Sequence, residues 1–213
     1  MNRHFTRYSV CLACAVCTIM TFVPWASASP LLSGQALFAV PEPDPIGGIT
    51  IAGGVPVPFA TGNLNGTLTS SVIAGDVSNP LGGLTFTYLL QNNAAAIDDI
   101  GRLTVNNFAG WLTDVSFQAA AVGVPPLSND RSPGLGDVMG FTFSSLGGGP
   151  GPVPPGQSSM LLVVQTNAPQ FTQTFASVID GSVASVPSFS PIPEPATLSL
   201  LILGGLAMIR RRR

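Results

Sequence analysis

Three cysteines stand at the spacing of part of an iron–sulfur ligand set, Cys11-x-x-Cys14-x-x-Cys17, and a lone histidine, His4, precedes them. Thiolates at such intervals can converge on one cluster. All four residues, however, lie in or just before an apolar run, Tyr8 to Val23, that follows the short basic stretch Met1 to Arg7. The run ends at Pro24, and Ala26-Ser27-Ala28 sets small residues at the two positions a signal peptidase reads. Residues 1–28 therefore read as a signal peptide, helical during export and cut before Ser29. An uncleaved anchor needs about 20 apolar residues, more than this run supplies. The cysteines leave with the segment, and none stands in the Leu-small-small setting of a lipid-modified cysteine.

The mature chain then has no Cys and no His, and Lys is absent throughout. Ser–His and Cys–His pairs, a Schiff-base amine and the usual zinc sets are all ruled out by residue type. Carboxylates remain. Asp98-Asp99 and the stretch from Asn129-Asp130-Arg131 to Asp137 offer oxygen ligands for Ca²⁺, but neither alternates its ligands toward a closing bidentate Glu. A glycosidase pair of acids would need two carboxylates aimed at one bond, whereas each Asp sits in or beside a turn signal. The expectation is that the chain is not an enzyme and uses no cofactor or metal. Gly134-Leu135-Gly136-Asp137-Val138-Met139-Gly140 has one residue too many for a dinucleotide loop and no helix behind it. Asn65-Gly66-Thr67 matches a glycosylation sequon, as short triplets do by chance, and reads as a turn before a strand. Phe108, Trp111 and Phe117 read as core aromatics, with an exposed platform for polysaccharide as the functional alternative.

Charge is scarce and unevenly placed. Only 8% of residues are charged, against about 25% in ordinary globular chains. Between residues 29 and 191 there are nine acids and two bases, Arg102 and Arg131, so this part carries about −7 while the whole chain carries −2. A body of that sign repels phosphate backbones, which excludes nucleic acid as a partner. The mean hydropathy of +0.44 reflects the two terminal runs.

The C-terminal end has three parts in order: Pro191-Ile192-Pro193-Glu194-Pro195, then Ala196 to Ile209 almost wholly apolar, then Arg210, Arg211, Arg212 and Arg213. The Pro-Glu-Pro triplet can continue neither a helix nor a sheet ladder and leaves an extended backbone open to a processing enzyme. The apolar run enters a bilayer, and the arginines hold its far end on the cytoplasmic side as a membrane stop. The fourteen-residue run spans about 21 Å as a helix, short of the roughly 30 Å hydrocarbon core. Such a length suits a temporary short transmembrane helix better than a permanent anchor.

In these residues the tail strongly resembles the PEP-CTERM sorting domain of Gram-negative bacteria, the substrate of membrane enzymes called exosortases. The resemblance implies that Pro193, Glu194 and Pro195 are the sorting motif. It further implies an inner-membrane intermediate, and delivery to the cell surface or the extracellular matrix of a biofilm. The earlier Pro41-Glu42-Pro43 has no apolar run behind it and reads as linker.

Between the ends, residues 29–65 are rich in Pro and Gly, with one strand expected at Ile49 to Ala52. Short β-rich runs then alternate with turn clusters: Thr67 to Ile73, Leu84 to Leu90, Gly101 to Asn106, Leu112 to Gln118, Val138 to Phe143, Met160 to Gln165, Phe171 to Ala176 and Ser177 to Val183. The expected fold is all-β, an antiparallel sandwich or jelly-roll-like body over residues 66–190, with a sorting and anchor segment over 191–213. Segments such as Gly101 to Asn106, Gln157 to Asn167 and Ile179 to Ser182 resemble the extracellular part of PEP-CTERM proteins. That likeness implies a surface sandwich and no activity. The expected function is that of an exported structural or adhesive protein whose partners are signal peptidase, an exosortase, transiently the inner membrane, and exopolysaccharide. The alternative is a carbohydrate- or calcium-binding extracellular module.

Overall fold

The computed structural model describes residues 30–143 and 151–193. The signal helix and the C-terminal transmembrane helix expected from the sequence lie outside them. The described residues contain no helix and form twelve strands. In chain order these are β1 (Ala36–Phe38), β2 (Pro41–Glu42), β3 (Ile49–Thr61), β4 (Leu64–Ala74), β5 (Thr85–Asn92), β6 (Arg102–Val105), β7 (Thr113–Gln118), β8 (Ser128–Arg131), β9 (Met139–Thr142), β10 (Leu162–Thr166), β11 (Phe171–Asp180) and β12 (Ser182–Pro191).

Alternation of side chains across a strand decides which face each residue takes. In β5, Phe86, Tyr88 and Leu90 point one way and Thr85 and Thr87 the other; in β4 the inward set is Leu64, Leu68 and Val72. The strands pair into two six-stranded sheets, one in the order β2-β7-β10-β5-β4-β3 and the other β1-β8-β9-β6-β11-β12. Only β2 and β7 run parallel; the remaining pairs are antiparallel.

The inward sets merge into one hydrophobic core, with Phe86, Tyr88, Leu90, Leu162 and Val164 from the first sheet against Leu103, Val105, Met139, Phe141 and Val178 from the second. Each such burial stabilises the fold by about 1.5–3 kcal/mol, and the described residues include no cysteine that could add a disulfide. Phe86 meets Phe108 edge-on at 6.0 Å between ring centroids. The Tyr88 hydroxyl, which complete burial holds in its neutral form, donates to the Phe189 carbonyl at 2.8 Å and so ties the two sheets together.

The β-sandwich expected from the sequence is therefore present, and its strands differ in five places, the first being β1, which pairs with β8 in a segment where only Ile49 to Ala52 is expected to be a strand. The strand expected over Ile49 to Ala52 runs on to Thr61, because Pro56 and Pro58 lie on an edge strand, where a missing N–H costs no ladder bond. Pro41-Glu42 is not linker but β2, with Glu42 opposite Gln118. Asn129-Asp130-Arg131, the start of the stretch weighed as a calcium loop, belongs to β8. The expected strand over 177–183 is cut by Gly181 (φ 63°), which turns β11 back into β12 and carries the pairing to Phe171↔Pro191.

Candidate functional site

Of the residues expected to direct sorting and cleavage, Pro193 alone is described. It is exposed, two positions past the end of β12. Ala26, Ala28, Ser29, Glu194, Pro195 and Arg210 to Arg213 lie outside the described residues. What the fold adds is the place from which both segments leave the body.

That place is organised by the stretch Phe108 to Asp114. At its far end Pro30 bridges Asp114, and the Leu31 amide donates to the Thr113 carbonyl at 3.0 Å, which sets the first described residues beside the start of β7. At its near end the Trp111 indole N–H donates to the Ile192 carbonyl at 2.9 Å, while the Ile192 amide donates to Gln170 at 3.3 Å. Both ends of the body are thus pinned within a few residues of one another. Phe108 and Phe117 join the core as expected, whereas Trp111 is only half-buried and serves as this clamp.

Arg131 holds the arrangement from beneath. Its guanidinium donates to the carbonyls of Phe108 (2.7 Å), Trp111 (2.8 Å), Gly136 (2.8 Å) and Leu31 (3.2 Å), and to the Thr113 hydroxyl (3.1 Å). Burial lowers its pKa, and the ring of oxygens is what makes a buried cation tolerable. Sequence reasoning missed this residue. Its one signal was rarity, since Arg131 is one of two bases in the body.

The acids are mostly committed to structure. Asp130 grips Arg102 through both oxygens, with Nη2 to Oδ2 at 2.7 Å, and the Asp137 carboxylate accepts the Asn107 amide at 3.1 Å. The stretch weighed as a calcium loop is therefore used within the fold. Burial and then the charges of Asp98 and Asp99 raise the pKa of Asp180. Among the described residues no three Asp, Glu, His or Cys side chains are grouped so as to hold a metal ion.

A second cluster lies on the outer face of the first sheet, where residues 42–48 and 75–83 fold over Asp114, Ser116, Thr85 and Gln165 and bury them. Asp76 is its hub, accepting from Ile46 N (3.0 Å), Ser78 N (3.0 Å), Thr85 Oγ1 (2.7 Å) and Gln165 Nε2 (3.1 Å). Burial alone would raise its pKa, but these bonds and that of the Ser78 hydroxyl outweigh it, and the carboxyl lies below its ordinary range. Glu42 goes the other way. Burial first, then the nearby charges of Asp114 and Asp44 and a hydrogen bond to Asp44, raise its pKa to about 7. Asp44 in turn accepts from the Ser116 hydroxyl at 2.8 Å.

Beside β1 there is also a shallow apolar groove of about 210 Å³, lined by Leu31, Leu37, Phe38, Val40, Val115 and Asn129. The sequon residue Asn65 lies in β4 and accepts from the Asn93 amide at 2.8 Å, so a strand and not a turn explains it. No protein family, no curated protein and no solved structure matches the chain.

Proposed function

We propose that this is an exported structural or adhesive protein of the bacterial surface, held briefly in the inner membrane by its tail and then processed by an exosortase for delivery to the extracellular matrix. One observation carries the reading: Pro193-Glu194-Pro195, an apolar run of fourteen residues and four terminal arginines follow one another in that order, behind a signal peptide. Each part has its own physical task of recognition, insertion and stop. The position of Pro193 supports it, since this first residue of the motif is exposed two positions past the end of the last strand. In this reading the sandwich is a durable body rather than a catalyst, with signal peptidase and the exosortase as its processing partners and exopolysaccharide as its surroundings.

Glu194 separates this function from plain anchoring, because a simple membrane anchor has no need of a carboxylate just outside the bilayer. The variant Glu194→Ala should be exported normally and should then accumulate in the inner-membrane fraction at the length of the unprocessed tail. Fractionation and immunoblotting of wild type and variant will show it. Equal distribution of the two would leave simple anchoring as the better account.

A further inference from the structure

We infer that the end of the sandwich carrying Leu32, Trp111, Leu112 and Ile192 is a membrane-contact surface, seated in the headgroup region of the bilayer for as long as the tail is attached. The inference rests on the proposed reading of the tail as bilayer-inserted and adds where the body must then lie. Ile192 is fixed to the body at both its polar groups, its carbonyl by Trp111 and its amide by Gln170. The apolar run begins at Ala196. Four residue steps, fully extended, reach roughly 14 Å, and two of the residues between are prolines that cannot loop out freely. A folded body tethered that closely cannot stand away from the bilayer.

The side chains at this end suit such a position. Leu32 is 55% exposed, Leu112 53% and Ile192 39%, and the half-buried indole of Trp111 lies among them with its N–H already bonded to protein. Apolar side chains grouped around a tryptophan are the pattern that settles at a membrane–water interface. Residues 30–32 run along 112–114 at the same end, so the signal segment leaves from there as well. Arg131, the cation nearest this end among the described residues, is turned inward to backbone carbonyls, so the apolar side chains rather than a charge make the contact.

Trp25 departs with the signal peptide, so Trp111 is the single tryptophan of the mature chain and reports on its own surroundings. Protein from Ser29 to Arg213 should be reconstituted with vesicles of phosphatidylcholine and phosphatidylglycerol carrying brominated acyl chains. Co-sedimentation and tryptophan fluorescence are read on the same sample. Expected is binding, with Trp111 emission at least halved relative to unbrominated vesicles and restored when the chain is ended at Pro193. Co-sedimentation with unquenched Trp111 would overturn the contact surface while leaving the tail reading intact. Failure to co-sediment would overturn both.

Discussion

The carboxyl of Glu42 has its ionisation shifted by the fold. In the unfolded chain its pKa is 4.5, and in the sandwich burial, Asp114 and Asp44 hold it at about 7. A carboxyl raised on folding binds its proton more tightly in the native state, so its contribution is complete below pH 4.5 and is lost as pH rises through 7. The shift corresponds to about 3 kcal/mol. Asp180, raised as well, contributes a slope of the same sign, while Asp76, lowered by its donors, loses its contribution as pH falls through its own depressed pKa. Urea unfolding at pH 5.5 and pH 8 should therefore show the wild type weaker at pH 8, and Glu42→Gln should remove most of that difference. Equal stability at the two pH values would contradict the buried acid pair. Little of this was readable beforehand. Glu42 lies in Pro41-Glu42-Pro43, where flanking prolines signal a linker, and only the folding of 42–48 over the sheet, through Asp44–Ser116 and Ile46–Asp76, buries it. Arg131 was hidden for a similar reason: its partners are backbone carbonyls, which have no sequence signature.

At the scale of elements, proline explains both what the sequence disclosed and what it concealed. The central strands β4, β5, β7 and β10 follow alternation or apolar content and fall within a few residues of expectation. The missed or shortened strands are at or near sheet edges. A sheet edge invites pairing with another chain, and proteins blunt it with short strands, bulges and prolines. All four edges here do so: β1 has 3 residues, β2 has 2 and begins with Pro41, β3 carries Pro56, Pro58 and a register shift between Gly53 and Pro56, and β12 carries Pro187 and Pro191. Gly53 could not be another residue without strain, since its φ is +83° and a Cβ there would lie 2.0 Å from the Ser70 carbonyl oxygen. Residues that signal linkers in a sequence are thus edge guards in this fold. Replacing both Pro56 and Pro58 by Val should restore donors along β3 and produce dimers or larger species in light scattering, with the circular dichroism of the monomer retained. A strictly monomeric double variant would show that the prolines do not protect this edge.

For the whole molecule, the two-sheet body follows from residue patterning, whereas the orientation proposed for it relative to a membrane rests on the clamp on Ile192 and on how few residues separate it from the apolar run. A fourteen-residue span of about 21 Å is a marginal anchor for a hydrocarbon core of roughly 30 Å. Its shortness and the motif before it are intelligible together if the tail is cut. On the proposed reading, the acidic body left after processing relies on one apolar core and on blunted sheet edges for its persistence. Intact-mass measurement of the protein recovered from the cell surface tests this most directly. The proposed processing predicts a chain that starts at Ser29 and has lost Leu198 to Arg213. A surface protein whose mass still includes those residues would contradict it.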